Sequence, residues 1–156
     1  MELDHAGIAA RIPHAGRMCL LGRVLHWDER GIRCSAVSHR DADNPLRDAD
    51  GLSTLAAIEY AAQAAAVHSA LLHGAQLNVA GVPRSGVLAA LKNVITTREW
   101  LHEIAGDIVI ETNLLHSDPA GGIFAFAAFA GEERILSGQF TLMYINQTEE
   151  LPEPPA

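Results

Sequence analysis

The stretch GLSTLAAIEYAAQAAAVHSALL, residues 51–72, decides how the rest of the chain is arranged. It is apolar on every side, which marks a helix covered on most faces rather than one lying on a surface. Ser53 is suited to cap its start, and the glycine-containing run from Gly74 to Gly86 is suited to end it. One acid, Glu59, stands inside it, with Gln63 one turn further on the same face. Burial disfavours an ionised carboxylate and raises its pKa, so Glu59 is a candidate acid or proton-sharing group. An amide at i+4 can hold such a carboxyl in place without adding charge. The bland alternative is a structural glutamate paired with an arginine, or a helix face less buried than its composition implies.

The length of the helix nearly suffices for a membrane span, but Glu59, Gln63 and His68 interrupt it and alanine dominates it. A spanning helix wants about 20 predominantly apolar residues. The reading is therefore a buried helix of a soluble protein, without a membrane span.

The flanking sequence reads mostly as strands. A short amphipathic segment, residues 3–10, leads into RIPHAGR. MCLLGRVLHW, residues 18–27, and IRCSAVS, residues 32–38, are strand-like and joined by the turn DERG. The polar loop HRDADNPLRDAD precedes the helix. After the helix come VLAALKNVITTREW, DIVIETNLLH, IFAFAAFA and RILSGQFTLMYI, separated by breaker-rich turns such as SDPAGG. Ile108, Ile110, Thr112 and Leu114 alternate onto one strand face. Residues 147–156 are acidic and proline-rich and read as a disordered tail. Two strands, a helix and four strands must bury one sheet face, and the apolar helix is the filling available. The fold class is therefore α+β, an antiparallel sheet wrapped around one long central helix, in a single domain over residues 1–146. Exposed sheet edges and a half-covered helix favour a dimer.

The 156 residues carry a net charge of −8, which argues against a general nucleic-acid or anionic-membrane binder. Cys19 and Cys34 form no disulfide framework. A hairpin turning at residues 28–31 pairs residues whose numbers sum to about 59, so Cys34 should face Leu25 and the thiols stay apart. Both read as reduced thiols of a cytoplasmic protein. No G-x-S-x-G elbow, H-E-x-x-H pair or P-loop is present. The eight histidines include no set at metal-ligand spacing, so neither a metal nor a cofactor is expected.

RIPHAGRMCLLGRVLHWDERGIRC, AAIEYAAQAAA and GVLAALKNVITTREWLHEIAGD together resemble the 3-hydroxyacyl-ACP dehydratases of the hot-dog fold, the FabZ-like family. The likeness runs in order from about Ile8 to Ile145. SHRDADNPLR and LAAIEYAAQAAAVH are most similar to the ApeP-like branch, whose members occur in aryl-polyene gene clusters. The resemblance implies that Glu59 is the catalytic carboxylate, Gln63 the amide beside it, and the helix the lining of an acyl tunnel. It also implies that the histidine and glutamate of one site come from two subunits.

One departure stands out. The family carries its catalytic histidine in a His-Phe-Pro-Gly stretch about fourteen residues before the glutamate, where this chain has Pro45. His39 is the nearby histidine and becomes the candidate base. His14 resembles the family's structural Pro-His, a loop anchor. The implied reaction is dehydration of a (3R)-3-hydroxyacyl thioester to the trans-2-enoyl thioester. His39 would take the α-proton and Glu59 would protonate the departing hydroxyl. The amides of Gly51 and Leu52, at the helix start, would polarise the thioester carbonyl. The carrier would be acyl carrier protein, met by Arg40, Arg47, Arg84 or Arg98. Two alternatives stay open: an acyl thioesterase, and a catalytically weak partner subunit of a hetero-oligomeric dehydratase.

Overall fold

The computed structural model describes residues 3–14, 16–74 and 86–144. Residues 147–156, read above as a tail, and Arg84 lie outside them. A short helix α1 (His5–Ala9) precedes strands β1 (Arg23–Trp27) and β2 (Gly31–Ala36). The long helix α2 (Ala57–His73) follows, then β3 (Gly86–Thr96), β4 (Ile108–Asp118), β5 (Gly121–Ala130) and β6 (Glu133–Tyr144). The strands form one antiparallel sheet in the order β1-β2-β4-β5-β6-β3. This is the hot-dog fold, with α2 as its filling.

Alanines let α2 approach the sheet closely, and nine of its seventeen residues are buried. Ile108, Ile110 and Thr112 alternate inward from β4, as their spacing predicts. Phe124, Phe126 and Phe140 stack across β5 and β6, with ring centroids 5.2–5.6 Å apart. Residues Thr54–His73 meet the length and hydropathy of a membrane span, yet half of that window is buried in the packing. The apolar character of the helix is thus explained by its contact with the sheet.

The Ser53 side chain caps a 3₁₀ turn, Thr54–Ala56, that leads into α2. At the other end Gly74 closes the helix with φ of 71°, a conformation glycine adopts without strain.

The β1–β2 hairpin differs from expectation by one residue. His26 faces Arg33 and Trp27 faces Ile32, but Leu25 is bulged out and Cys34 faces Val24. A β-bulge adds one residue to one strand and shifts every pair beyond it. Both thiols are free and buried.

Strand β3 lies at a sheet edge. Val87, Leu91 and Ile95 on it are 45%, 50% and 62% exposed, although they are large apolar residues.

Candidate active site

Helix α2 turns most of its surface to the sheet but leaves a stripe less covered: Glu59, Ala62, Ala66, Ser69 and Ala70 are half-buried. Their spacing of three and four residues keeps them on one face. Glu59 opens this stripe in the first turn of α2, where the helix dipole favours a carboxylate. Its side chain is 34% exposed. The expectation of a carboxyl sealed in the core is corrected here: α2 is buried, but Glu59 sits where the sheet does not reach.

Gln63 is fully buried, some 40° further round the helix than Glu59 by helical geometry. That rotation aims it at the segment leading into β1. Its side-chain oxygen accepts the Leu20 N–H at 2.9 Å, and its amide nitrogen donates to the Met18 carbonyl. The expected contact with the Glu59 carboxyl gives way to these two backbone groups. Gln63 instead ties residues 18–20 across α2.

Four residues before that tie stands His14. Its Nε2 lies 3.4 Å from Glu59 Oε1. Among the described residues this is the charged-group contact of Glu59. The Nδ1 of His14 is buried with no hydrogen-bond partner among the described residues. Pro-His was read as a loop anchor, and nothing in the spacing of residues 14 and 59 could have revealed the contact, because the crossing of the segment over α2 creates it.

His39 sits in the 3₁₀ turn Ser38–Arg40 that follows β2 and is fully enclosed. Its Nε2 donates to the Ile104 carbonyl at 3.0 Å, which leaves Nδ1 as a buried acceptor without a partner among the described residues. Burial in this turn lowers its pKa from the ordinary 6.5, and the bond to Ile104 opposes that shift. A neutral imidazole with one nitrogen anchored suits a base, but substrate has no surface of it to reach in this chain.

The same turn is fastened to α2 by a small network. Ser38 Oγ donates its hydrogen to the Leu20 carbonyl at 2.7 Å. With that hydrogen used, the Tyr60 hydroxyl donates to Ser38 Oγ at 2.7 Å and accepts from Asn44 Nδ2 at 3.0 Å. Nothing in the local sequence marks Tyr60, whose ring fills the core and whose hydroxyl fixes the loop.

Gly51 and Leu52 need correction too. The helical turns begin at Thr54, so neither residue offers an unpaired amide. The Gly51 N–H points to Asp48, with Oδ1 at 3.2 Å, and the Leu52 N–H donates to His102 Nδ1 at 3.0 Å. Gly51 has φ of 128°, and a Cβ there would fall 2.1 Å from His102 Cε1. Glycine is therefore required for the loop to pass His102, a packing role. Thr54 and Leu55, next along, give their N–H groups to the Glu99 carbonyl and Ser53 Oγ.

Of the arginines named for the carrier, Arg98 is held in a bidentate pair with Glu133 at 2.6 Å. Arg40 donates to the Ala105 carbonyl and lies 3.7 Å from Asp107. Arg47 donates to the Asp41 carbonyl. Among the described residues no group of three or more His, Cys, Asp or Glu side chains could hold a metal ion.

The profile of the family described as ApeP-like, ApeP dehydratase, matches residues 6–153. The dehydratase heterocomplex ApeI:P from Xenorhabdus doucetiae superposes with a TM-score of 0.77 at 24% identity, covering 91% of this chain and 93% of that one. A mutant thioesterase from Pseudomonas aeruginosa gives a TM-score of 0.56 at 13% identity, over 79% of this chain and 80% of that one. A mutant thioesterase from Staphylococcus aureus gives 0.56 at 14% identity, over 79% and 92%. At these identities the solved structures share the fold. No curated protein matches the sequence at a significant level.

Proposed function

Because the chain belongs to the ApeP-like dehydratase family, we propose that it is the carboxylate-bearing subunit of a hot-dog dehydratase acting on (3R)-3-hydroxyacyl thioesters. In this reading a companion hot-dog subunit supplies the proton-accepting histidine. The setting is polyene biosynthesis, the carrier is acyl carrier protein and the compartment is the cytoplasm. Arg40 and Arg47, on the loop before α2, are the described cations offered to the carrier.

The observation that carries this reading is the placement of Glu59. It is the acid on the uncovered stripe of α2, next to a row of small apolar side chains that an acyl chain can lie along. The reaction breaks the α C–H bond, whose electron pair becomes the new C=C bond. It also breaks the β C–O bond, and the hydroxyl leaves as water once protonated. Glu59 is proposed to hold and protonate that hydroxyl. The base must stand across adjacent substrate carbons from it. His39 is enclosed and His14 abuts the carboxylate, so the second subunit is the proposed source.

The open edge of β3 supports such a partner. An eleven-residue edge strand with apolar side chains in solvent is a pairing surface unless something covers it. The ApeI:P assembly is itself named a dehydratase heterocomplex, which supports a companion subunit.

The test is product analysis. The purified protein is incubated with 3-hydroxyacyl-ACP alone and with a companion hot-dog subunit, and the products are read by mass spectrometry. Loss of 18 mass units from the acyl group in the mixed sample, and little in the single one, is the expected result. Free acid and thiol would replace this reading by thioester hydrolysis.

A further inference from the structure

His14 has no part in the reaction as derived so far, yet it is the side chain against Glu59. Two facts fix what it can do there. Its Nε2 faces Glu59 Oε1 at 3.4 Å. Its Nδ1 is buried with no hydrogen-bond partner among the described residues.

We propose that His14 is a positioning residue for Glu59, a neutral imidazole that offers its Nε2–H to Oε1 of the carboxyl and so aims the second oxygen, the one that carries the proton, at the substrate hydroxyl. This rests on the reading of Glu59 as the working carboxylate.

The tautomer follows from the orphaned nitrogen. A proton on Nδ1 would bury a donor with no acceptor among the described residues, which is costly. The neutral form with its proton on Nε2 avoids that and gives Glu59 a donor. With its accepting nitrogen, Nδ1, enclosed and its Nε2 turned to Glu59, His14 presents no free lone pair to a substrate and is a poor choice for the base. At 3.4 Å the pair is in ion-pair contact and not yet in a formed hydrogen bond; catalytic hydrogen bonds are often long or poorly aligned without substrate and tighten in its complex.

Glu59 needs this help. Its side chain is 34% exposed, and its free rotamers would spread the carboxyl over several positions. His14 is itself held on both sides. Buried Ile12 precedes it, Pro13 restricts the backbone just before it, and the bonds of Gln63 to Met18 and Leu20 pin the segment after it. Gln63 thus acts on Glu59 at one remove, through the segment that carries His14.

The test uses the assembled dehydratase and two variants. His14→Gln keeps an N–H donor of similar reach, whereas His14→Ala removes it. The expected result for His14→Ala is a fall of about 10²-fold in kcat with KM little changed, the cost of a misplaced catalytic group. His14→Gln should stay within about tenfold of the original. Equal loss in both variants would mean that His14 moves protons, and an unimpaired His14→Ala would mean that it does nothing for Glu59. Either result overturns the proposal.

A second measurement stands apart from activity. Nitrogen NMR of the imidazoles at pH 8 should show His14 as the neutral Nε2–H tautomer, with resonances that move in Glu59→Gln. A proton on Nδ1, or resonances indifferent to Glu59→Gln, would overturn the pairing even if His14→Ala failed to fold. An original protein that dehydrates nothing would remove the proposed reaction while the NMR result still judged the pair.

Discussion

His14 Nε2 meets Glu59 Oε1 at 3.4 Å within one chain, whereas the Nε2 of His39 is turned onto the Ile104 carbonyl. The histidine picked out by its distance from Glu59 in sequence is thus a fastened, enclosed group. The one read as a loop anchor touches the acid. The link between them is the segment of residues 12–22, which crosses α2 on its way to β1.

That crossing depends on Gln63. Replacing Gln63 by Ala leaves the buried Leu20 N–H and the Met18 carbonyl without partners. The expected loss is about 2–4 kcal/mol of stability, read as a lower urea midpoint at unchanged slope. Turnover of the assembled enzyme should fall as well, because His14 is placed by the same segment. A variant within about 0.5 kcal/mol of the original would show that the segment holds itself.

Cys19 and Cys34 should be silent toward a thiol reagent in the native protein at pH 8. Both are buried. Burial pushes the Cys34 thiol up to about 12 and raises that of Cys19, so the reactive thiolate is suppressed in each. Unfolding without a reductant should release two reactive thiols. Release of none would mean that they are joined, against the geometry found here.

His39 should make the protein sensitive to mild acid. Its pKa is lowered in the folded state by burial, so below about pH 6.5 the unfolded chain takes up a proton that the folded one resists. Stability from this group is full above 6.5 and is lost as pH falls toward the lowered folded value. The mid-point of thermal unfolding, followed from pH 8 to pH 5, should therefore drop less steeply in His39→Gln, which can still donate to the Ile104 carbonyl. Identical slopes for the two proteins would rule out His39 as the source.

Much of the fold was legible because two periodicities are clean. The all-round apolar run of α2 and the alternation of Ile108, Ile110 and Thr112 each admit one arrangement, whereas Ser53 caps the 3₁₀ turn before α2 and not α2 itself, whose N-cap is Ala56. The β1–β2 register was legible only near its turn, since a bulge at Leu25 leaves no mark in composition. The site was harder. Glu59 could be singled out as the lone acid, but its exposure depends on which face of α2 the sheet covers. The partners of Gln63, and the meeting of His14 with Glu59, arise from residues about 45 positions apart. Local spacing holds no information about such contacts. The amides of Gly51 and Leu52 were misjudged for a related reason: Asp48 and His102, one near and one far along the chain, had already taken them.

The central claim is that Glu59 is the carboxylate of the reaction, and turnover by Glu59→Gln in the assembled dehydratase tests it most directly. Glutamine preserves the shape and leaves a half-exposed site, so folding and assembly should be unchanged. It cannot give a proton to a departing hydroxyl, so formation of the enoyl thioester should fall by at least about 10²-fold. An assembled Glu59→Gln enzyme with the turnover of the original would contradict the account.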